Sequence, residues 1–408
     1  MNRHHNRCSL LLLPLLVAAL SSCGDVEGDN KSLTLNGPAD GTTIQIQPKE
    51  ELRYVEAMHE QEKSIPEANR YAINDLGGDK VKIASYTEKY TACKGVKVEL
   101  GFEHKGFGED KLYKYHLATK EDFSNEVVYL SKSTTFSVTS LKSSAKYYWK
   151  VSDVDGKVVS NVKTFNTSYG WRGLDAGLTN NVRDLGGKKV KGNKIIKQGL
   201  IYRGCELNNV PYEASGAQHD RTINDETVRV FKDVMKVGTE IDFRGTAESG
   251  GLTSSNLGWS VKYDRQSIGA YGGLLTDTSG KEDKRVKAIF KDCLEAKEDS
   301  SVYFHCWGGA DRTGTIAFLL GGLLGMSYTD LVIDYELTSF SYNLREHDKL
   351  GEHSNFPSLI EGLKSVSHAN EANPDIQSMI EYYLVNKVGI TNDEINQFKN
   401  LMLEDYHE

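Results

Sequence analysis

Apolar and polar side chains alternate with a period of two from about residue 32 to residue 167. Tyr113, Tyr115 and Leu117 alternate with polar side chains, and residues 147–152 repeat the pattern. Alternation of this kind is typical of strands that bury one face. Turn-rich stretches separate these strands, which favours an antiparallel, all-β sandwich over residues 33–168.

Two parts of this half carry further information. Residues 51–75 do not alternate, and we interpret them as an insertion with some helix. Residues 110–167, with Leu141, Tyr147 and Trp149 before a closing strand, resemble the last strands of a fibronectin type III module. The resemblance implies a spacer or docking domain that contacts another protein or a glycan. Its aromatic side chains serve either such a surface or the core of the sandwich, and the pattern favours the core.

In the C-terminal half, residues 171–408, the pattern changes to alternating helices and strands. Residues 222–237 and 283–296 carry apolar side chains at helical spacing, whereas residues 240–243 and 301–304 form short apolar runs. This order predicts an α/β domain with a central, largely parallel sheet.

The N-terminus carries the pattern of an export signal. Arg3 and Arg7 precede an apolar run that ends in a small-residue pair directly before Cys23, an arrangement that resembles the lipobox of bacterial lipoproteins. We predict a lipoprotein signal peptide at residues 1–22, acylation of Cys23 and a polar tether at residues 23–32. The protein is then exported and lipid-anchored to a bacterial membrane, facing the periplasm or the cell surface. The alternative is a plain secretory peptide followed by an ordinary cysteine.

Composition narrows the functional class. The chain has 408 residues, of which 38% are hydrophobic and 26% charged, as in folded proteins of about two domains. A formal net charge of -8 argues against a general nucleic-acid binder, which needs a basic surface. Beyond the leader, Cys93, Cys205, Cys293 and Cys306 lack the paired spacing of a disulfide framework or a zinc site. We therefore expect a free thiol.

The strongest chemical signal lies at residues 305–314, whose sequence is HCWGGADRTG. A buried strand precedes this glycine-rich segment, and an apolar helix follows it. Such a loop directs successive backbone N–H groups and the positive end of the helix dipole at one point, and together they bind a phosphate. Arg312 adds a planar, two-pronged donor. The sequence predicts a phosphate site that needs neither a metal nor a cofactor.

The same loop places Cys306 six residues before Arg312, where the helix dipole and the guanidinium stabilise a thiolate at neutral pH. We expect the Cys306 sulfur to attack phosphorus and form a cysteinyl-phosphate, while an acid protonates the leaving oxygen; water then hydrolyses the intermediate. The alternative is a buried cysteine in a tight strand-to-helix turn. Glycine at both positions 309 and 314 makes that coincidence rare.

These residues resemble the signature of the cysteine-dependent tyrosine phosphatase superfamily and, within it, the bacterial tyrosine/serine protein phosphatase family. The resemblance extends over residues 178–404. The other segments that resemble family motifs are NVRDLGG at 181–187, LIYR at 200–203, IDFR at 241–244 with Glu248, DYELT at 334–338 and GIT at 389–391. The resemblance implies a phosphatase fold and, as substrate, a phosphorylated protein or peptide.

The resemblance also implies a role for each residue of the loop. Cys306 is the nucleophile, and Arg312 clamps the phosphate. His305 fixes the loop, and Thr313 donates its hydroxyl to the departing thiolate. The backbone cradle consists of Trp307, Gly308, Gly309, Ala310, Asp311 and Arg312.

The general acid has two candidates. Relatives with an aspartate directly before the loop arginine are proposed to use it as the acid, which favours Asp311. Asp277, in the loop of residues 272–280, is the alternative acid. In that alternative, Asp311 is a structural carboxylate that pairs with a nearby backbone N–H. The residues that the comparison interprets as scaffold ion pairs rather than substrate ligands are Arg183, Asp184, Arg203, Asp242 and Arg244.

One departure from relatives bears on the substrate. Relatives that act on phosphoinositides carry lysine where this chain has Ala310, so phosphotyrosine is the first expectation. A phosphoinositide or inositol phosphate is the alternative. The alternative outside the enzymes is a catalytically inactive lipoprotein that binds a partner through its β-sandwich. The intact Cys306 and Arg312 argue against it.

Overall fold

The structure is a computed structural model of the chain. It describes residues 31–74, 76, 81–87, 95–177, 179–208, 223–341, 344–351, 354–367 and 375–406. The predicted signal peptide, Cys23 and most of the predicted tether lie outside the described residues, as does Cys93. Within the described ranges, no helix is long and apolar enough to cross a membrane.

The N-terminal half consists mainly of two sheets that pack on a shared core. Its strands are β1 (Ser32–Gly37), β2 (Thr42–Ile44), β3 (Val98–Lys105), β4 (Tyr113–Ala118), β5 (Val127–Ser131), β6 (Thr135–Val138), β7 (Lys146–Asp153) and β8 (Lys163–Thr167). Its helical segments are α1 (Lys49–Glu62) and two 3-10 turns (Glu67–Asn69 and Ile83–Ser85). One sheet has the order β1-β3-β6 and the other the order β2-β8-β7-β4-β5. Buried side chains of both sheets, among them Phe102 and Trp149, form one cluster. Because successive side chains of a strand point to opposite faces of the sheet, the apolar residues that face this cluster stand at every second position.

The range 33–168 is not β-structure throughout, because helix α1 lies within the segment that does not alternate. Tyr54 and Met58 of α1 are buried, and they belong to the core of the C-terminal half rather than to that of the sandwich. Ile83 of the second 3-10 turn packs in the same core. The N-terminal half therefore supplies part of the hydrophobic core of the α/β domain.

The C-terminal half is an α/β domain built on a five-stranded sheet. Its strands are β9 (Arg183–Asp184), β10 (Lys189–Val190), β11 (Lys194–Ile196), β12 (Ile201–Gly204), β13 (Val237–Asp242), β14 (Lys262–Arg265), β15 (Ser301–His305) and β16 (Leu403–Asp405). Its helices are α2 (Asp225–Arg229), α3 (Tyr271–Leu275), α4 (Lys281–Leu294), α5 (Asp311–Leu323), α6 (Tyr328–Glu336), α7 (Phe356–Ser367), α8 (Ile376–Tyr383) and α9 (Asn392–Met402). Single π turns (Val230–Val234 and Leu384–Val388) and a 3-10 turn (Leu337–Phe340) extend α2, α8 and α6.

The central sheet has the order β14-β13-β15-β12-β9 and is parallel except for the pairing of β9 with β12. This agrees with the largely parallel sheet that the sequence predicts. Strand β15 lies at its centre, and all five of its residues are buried because helices and the neighbouring strands cover it. Cys306 follows directly, at the carboxyl edge where sheets of this type bind ligands.

Polar contacts fix the sandwich on the α/β domain. Arg172 donates from Nε and Nη2 to the carbonyl of Ser140, at 3.1 and 2.7 Å, and from Nη1 to the carboxylate of Asp184 at 2.7 Å. The side-chain oxygen of Gln198 accepts the N–H of Ser143 at 2.8 Å, and its amide nitrogen donates to the Ser143 carbonyl at 2.9 Å. Each half thus satisfies buried polar groups of the other.

Candidate active site

A tight loop joins strand β15 to helix α5. The strand ends at His305, and the helix begins at Asp311. Within the loop, Gly309 has a φ of +67°, and a Cβ at this position would lie 2.4 Å from the carbonyl oxygen of Gly204. Only glycine combines this conformation with such a close approach. The loop therefore packs directly on the end of β12.

Cys306 and Arg312 are neighbours in this loop. Cys306 is a free cysteine and is 2% exposed. Burial opposes the charge on Arg312, but the hydrogen bonds and charge of Glu248, together with the proximity of Cys306, outweigh burial and raise the pKa of the guanidinium above its ordinary value. The structure thus places the predicted nucleophile within electrostatic range of the predicted phosphate clamp.

Glu248 holds Arg312 by two parallel hydrogen bonds. Nη1 and Nη2 of Arg312 donate to the two carboxylate oxygens of Glu248 at 2.7 and 2.5 Å, and Nη1 also donates to the carbonyl of Phe243 at 3.3 Å. Burial works against the charge on Glu248, but Arg312 outweighs burial and lowers the pKa of the carboxyl below its ordinary value. The sequence identified Glu248 only as part of a motif. Its carboxylate binds the Nη1–Nη2 edge of the guanidinium and so sets the orientation of the Arg312 side chain.

Asp311 is held by side chains from two distant segments. Arg345 donates from Nε and Nη2 to the two oxygens of Asp311, each at 3.2 Å. The hydroxyl of Tyr271 donates to the same carboxylate and lies 3.1 Å from the hydroxyl of Tyr335. The sequence did not reveal Arg345 or Tyr271, because they lie 34 and 40 residues from Asp311 and belong to no recognised motif. These partners are side chains, not the backbone N–H of the structural alternative.

Asp277, the alternative acid, lies beside the start of α4. Its carboxylate accepts the backbone N–H groups of Ser279 and Glu282 at 3.1 and 3.2 Å. The hydrogen bonds from Ser279 are the main reason why the pKa of Asp277 lies below its ordinary value. Among the described residues, no hydrogen bond or ion pair joins Asp277 to residues 306–312. Asp277 therefore binds backbone N–H groups next to the start of α4, whereas Asp311 is the first residue of α5, directly after the loop.

His305, the last residue of β15, is buried and has polar contacts on both sides of its ring. One ring nitrogen lies 2.9 Å from the carboxylate of Glu240, and the other lies 3.2 Å from the carbonyl of Cys306. Burial disfavours a charged ring, but Asp242 and Glu240 outweigh burial and raise the pKa of His305. Through its two ring contacts, His305 links the carbonyl of Cys306 to Glu240 of β13.

Two buried donors hold the outer carbonyls of the loop. Asn181 donates from Nδ2 to the carbonyls of Gly308 and Gly309 at 3.0 and 3.1 Å, and Arg203 donates from Nη2 to the carbonyl of Gly309 at 2.7 Å. In a trans peptide the N–H points opposite to the carbonyl, so the N–H groups of the following residues point away from these two side chains. This orientation leaves them available for an anion.

The residues predicted as scaffold have buried ionic partners. Burial lowers the pKa of Arg203 to about 10, although its ion pair with Asp334 opposes this effect. Asp184 pairs with Arg172, as described above. The remaining buried contacts of this set are Arg183 with Asp334 at 3.8 Å, Arg244 with Asp242 at 2.7 Å and Arg244 with Glu206 at 2.8 Å.

Two further loop residues have defined environments. The Thr313 side chain is buried, and its hydroxyl has no hydrogen-bond partner within the described part of the chain. The predicted contact between Thr313 and the Cys306 sulfur is therefore not formed here, and this role stays a prediction. Trp307 is half-buried, and its carbonyl accepts the N–H of Glu206 at 3.3 Å.

Comparison with known proteins identifies the family. The model of the tyrosine phosphatase family matches residues 175–404, which include the whole loop. The chain belongs to this family. The protein is accordingly a cysteine-dependent phosphatase. No curated protein matches the chain closely.

Solved structures of two phosphatases are similar to part of the chain. TpbA of Pseudomonas aeruginosa, as a variant in complex with phosphotyrosine, is 13% identical, and the match covers 43% of this chain and 82% of TpbA with a TM-score of 0.27. The core catalytic domain of the PP-IP phosphatase SIW14 of Saccharomyces cerevisiae, in complex with citrate, is 13% identical, and the match covers 53% of this chain and 91% of SIW14 with a TM-score of 0.26.

Proposed function

We propose that the protein is a metal-independent phosphomonoester hydrolase that uses Cys306 as nucleophile and phosphotyrosine in proteins as its preferred substrate. The position of Cys306 beside Arg312, whose guanidinium Glu248 orients, carries this proposal. A nucleophilic sulfur and the planar donor fork of a guanidinium at one helix N-terminus form a site for a tetrahedral phosphate.

The chemistry proceeds in two steps. The N–H groups of residues 307–312 and the guanidinium of Arg312 bind the phosphate oxygens. The Cys306 sulfur attacks phosphorus, an S–P bond forms and the bond from phosphorus to the leaving oxygen breaks, while Asp311 gives its proton to that oxygen. Water then attacks phosphorus and gives a proton to Asp311, and the S–P bond breaks to release inorganic phosphate. Glu248 keeps Arg312 in place before the substrate arrives.

The charges around the loop favour a single phosphate group. Position 310 is alanine, so it supplies no ammonium group beside the phosphate. The arginines described next to the loop each have a carboxylate partner: Arg312 with Glu248, Arg203 with Asp334 and Arg345 with Asp311. A head group with several phosphates needs unpaired positive charge around the site, and in each of these ion pairs a carboxylate neutralises the arginine. A phosphoinositide or inositol phosphate is therefore the second candidate.

Replacement of the nucleophile tests the mechanism. In Cys306→Ser we expect turnover of p-nitrophenyl phosphate to fall by at least about 10⁴-fold, while vanadate still binds, because the loop donors remain. Cys293→Ala is the matched control, since Cys293 is also buried but lies on α4 outside the loop. Residual turnover above about one tenth of the unmodified protein's rate in Cys306→Ser would contradict a nucleophilic Cys306.

A substrate panel separates the candidate functions. Values of kcat/KM are measured for a phosphotyrosine peptide, a phosphoserine peptide and phosphoinositide vesicles, with Cys306→Ser as the blank. We expect the phosphotyrosine peptide to rank first. A higher value for the vesicles would favour the lipid or inositol phosphate class. A folded protein that is inert toward all three but binds a partner through residues 33–168 would favour the docking lipoprotein.

We further propose that Cys23 carries the lipid that anchors the protein to the membrane. Metabolic labelling with a radioactive fatty acid should mark the unmodified protein and leave Cys23→Ser unlabelled. Cys205→Ser is the matched control, because Cys205 is buried and hydrogen-bonded in the folded domain. An unlabelled wild-type protein that is still exported would support a plain secretory peptide instead.

A further inference from the structure

The segment after α6 reaches back to the catalytic loop through Arg345. Both ends of the Arg345 fork contact Asp311, with Nε and Nη2 each 3.2 Å from one carboxylate oxygen. The Arg345 side chain is 4% exposed, whereas that of Asp311 is 42% exposed. Arg345 therefore supports Asp311 from the protein side, Tyr271 binds the same carboxylate, and part of the Asp311 side chain remains exposed.

The position of Arg345 is set by its own backbone contacts. Its N–H donates to the hydroxyl oxygen of Ser339 at 2.8 Å, and the same hydroxyl donates to the Arg345 carbonyl at 3.2 Å. These two hydrogen bonds hold the Arg345 backbone against the 3-10 turn that follows α6. The side chain therefore extends from a defined backbone position, and its planar fork matches the two oxygens of a carboxylate.

Glu336, the last residue of α6, also contacts the segment that carries Arg345. One of its carboxylate oxygens lies 2.8 Å from the backbone nitrogen and 2.8 Å from Nδ1 of His347, two residues after Arg345. The other oxygen accepts the hydroxyl of Tyr54, a fully buried residue of α1. Burial, reinforced by Glu336, raises the pKa of Tyr54, so the phenol remains a neutral donor. Helix α1 of the N-terminal half is thus linked to Asp311 through Glu336 and the segment that carries Arg345.

We propose that Arg345 is a positioning residue that aims Asp311 at the leaving oxygen, and that Tyr54 of helix α1 maintains the segment from which Arg345 acts. The inference rests on the proposed role of Asp311 as proton donor. Proton transfer requires heavy atoms within hydrogen-bond reach, so a displaced carboxylate loses general-acid catalysis without losing phosphate binding.

This role can be tested with two substrates whose leaving groups differ in their need for a proton. Phenyl phosphate releases a basic phenolate and depends on the acid, whereas p-nitrophenyl phosphate releases a stable anion and does not. The test uses kcat/KM, which covers only the steps up to release of the leaving group, because Asp311 also takes a proton in the later hydrolysis step that both substrates share. In Asp311→Asn we expect kcat/KM to fall by about 100-fold for phenyl phosphate and by less than about threefold for p-nitrophenyl phosphate. In Arg345→Met we expect the same selectivity in kcat/KM, with a fall of about tenfold for phenyl phosphate and unchanged inhibition by vanadate.

Control variants separate positioning from general damage. Arg285→Met is the matched control, since Arg285 pairs with Glu282 on the surface of α4 at 3.1 Å, and we expect no change in the ratio of the two rates. Tyr54→Phe removes only a hydroxyl and should give the selectivity of Arg345→Met in weaker form. Arg345→Lys, which keeps the charge, serves if Arg345→Met does not fold, and it should show a smaller selective loss.

The outcomes distinguish this inference from the proposed function. If Asp311→Asn is selective but Arg345→Met and Arg345→Lys lower both rates equally or neither, the positioning role of Arg345 is wrong while the acid stands. If Asp311→Asn is not selective, the acid role of Asp311 is wrong and the inference is lost with it. If Tyr54→Phe lowers only the melting temperature, the part assigned to α1 is wrong.

Discussion

Excision of the C-terminal half tests whether helix α1 is part of the phosphatase fold. A fragment of residues 171–408 contains the whole family match but lacks α1. We predict that this fragment does not form a stable domain. In the full chain, Tyr54, Met58 and Ile83 are 0%, 2% and 1% exposed and pack in the core of the C-terminal half. Excision uncovers the apolar surface that they cover.

The size of the effect follows from the buried side chains. Burial of one large apolar side chain contributes about 1.5–3 kcal/mol, so loss of Tyr54, Val55, Met58 and Ile83 removes roughly 6–12 kcal/mol. A typical domain has a free energy of unfolding of about 5–15 kcal/mol. The fragment also loses the ion pair of His59 with Asp330, which measures 2.8 Å. The expected free energy of unfolding of the fragment is therefore close to zero.

Urea denaturation followed by tryptophan fluorescence, together with size-exclusion chromatography, measures this effect. We expect the fragment to show no cooperative transition and to elute as aggregate. In the full chain, Met58→Ala should lower the free energy of unfolding by about 2–5 kcal/mol. Val128→Ala, on the exposed face of β5, should change it by less than about 0.5 kcal/mol. A fragment that unfolds cooperatively, with a free energy within about 2 kcal/mol of the full chain, would refute the reasoning.

Three further predictions concern the loop and its supports. Glu248→Gln should lower kcat/KM for p-nitrophenyl phosphate by about tenfold, because Arg312 loses its charged bidentate partner; an unchanged value would show that Arg312 is oriented without it. Gly309→Ala should abolish turnover and phosphate binding together in activity and calorimetric assays, since the new methyl group meets a strand carbonyl at 2.4 Å. Burial opposes ionisation of Asp334, but the charges of Arg203 and its neighbours outweigh burial and hold the pKa of Asp334 below its ordinary value. The ion pair of Asp334 with Arg203 therefore stabilises the fold above about pH 4, and this contribution is lost as the pH falls through the pKa of the folded state. Urea titrations should therefore show a shallower loss of stability on acidification in Asp334→Asn than in the unmodified protein, and equal slopes would count against the pair.

Contacts between residues close in the chain begin two of the helices. Thr391 and Glu394 form a capping box at the start of α9, and the side chain of Asn224 accepts the N–H of Thr227 at the start of α2. Both arrangements involve residues three apart in the chain, so the sequence contains all the atoms that decide them. The end of the α2 region was less well predicted. The helix changes to a π turn that ends at Val234, and β13 begins at Val237 rather than near residue 240, because pairing with β15 sets the start of that strand.

Long-range contacts were harder to predict. The sequence indicated an insertion at residues 51–75 but not that its helix packs in the core of the other half. It offered Asp311 as the acid but not the partners Arg345 and Tyr271. Arginine and tyrosine are common residues, and nothing in their local sequence reveals which distant carboxylate they contact.

The residues of the predicted phosphate loop could be recognised from the local sequence. Cys306, the glycines and Arg312 lie within one short segment between a strand and a helix, and a segment of this kind directs backbone donors at an anion. Tertiary structure decided how that chemistry is held in place: Glu248 orients Arg312, Asn181 and Arg203 turn the loop carbonyls, and helix α1 braces the segment that supports Asp311. The backbone donors and the nucleophile of the loop are neighbours in the chain, so a short sequence contains them all. Buried charged side chains, by contrast, need partners of opposite charge, and those partners come from distant segments that core packing brings together.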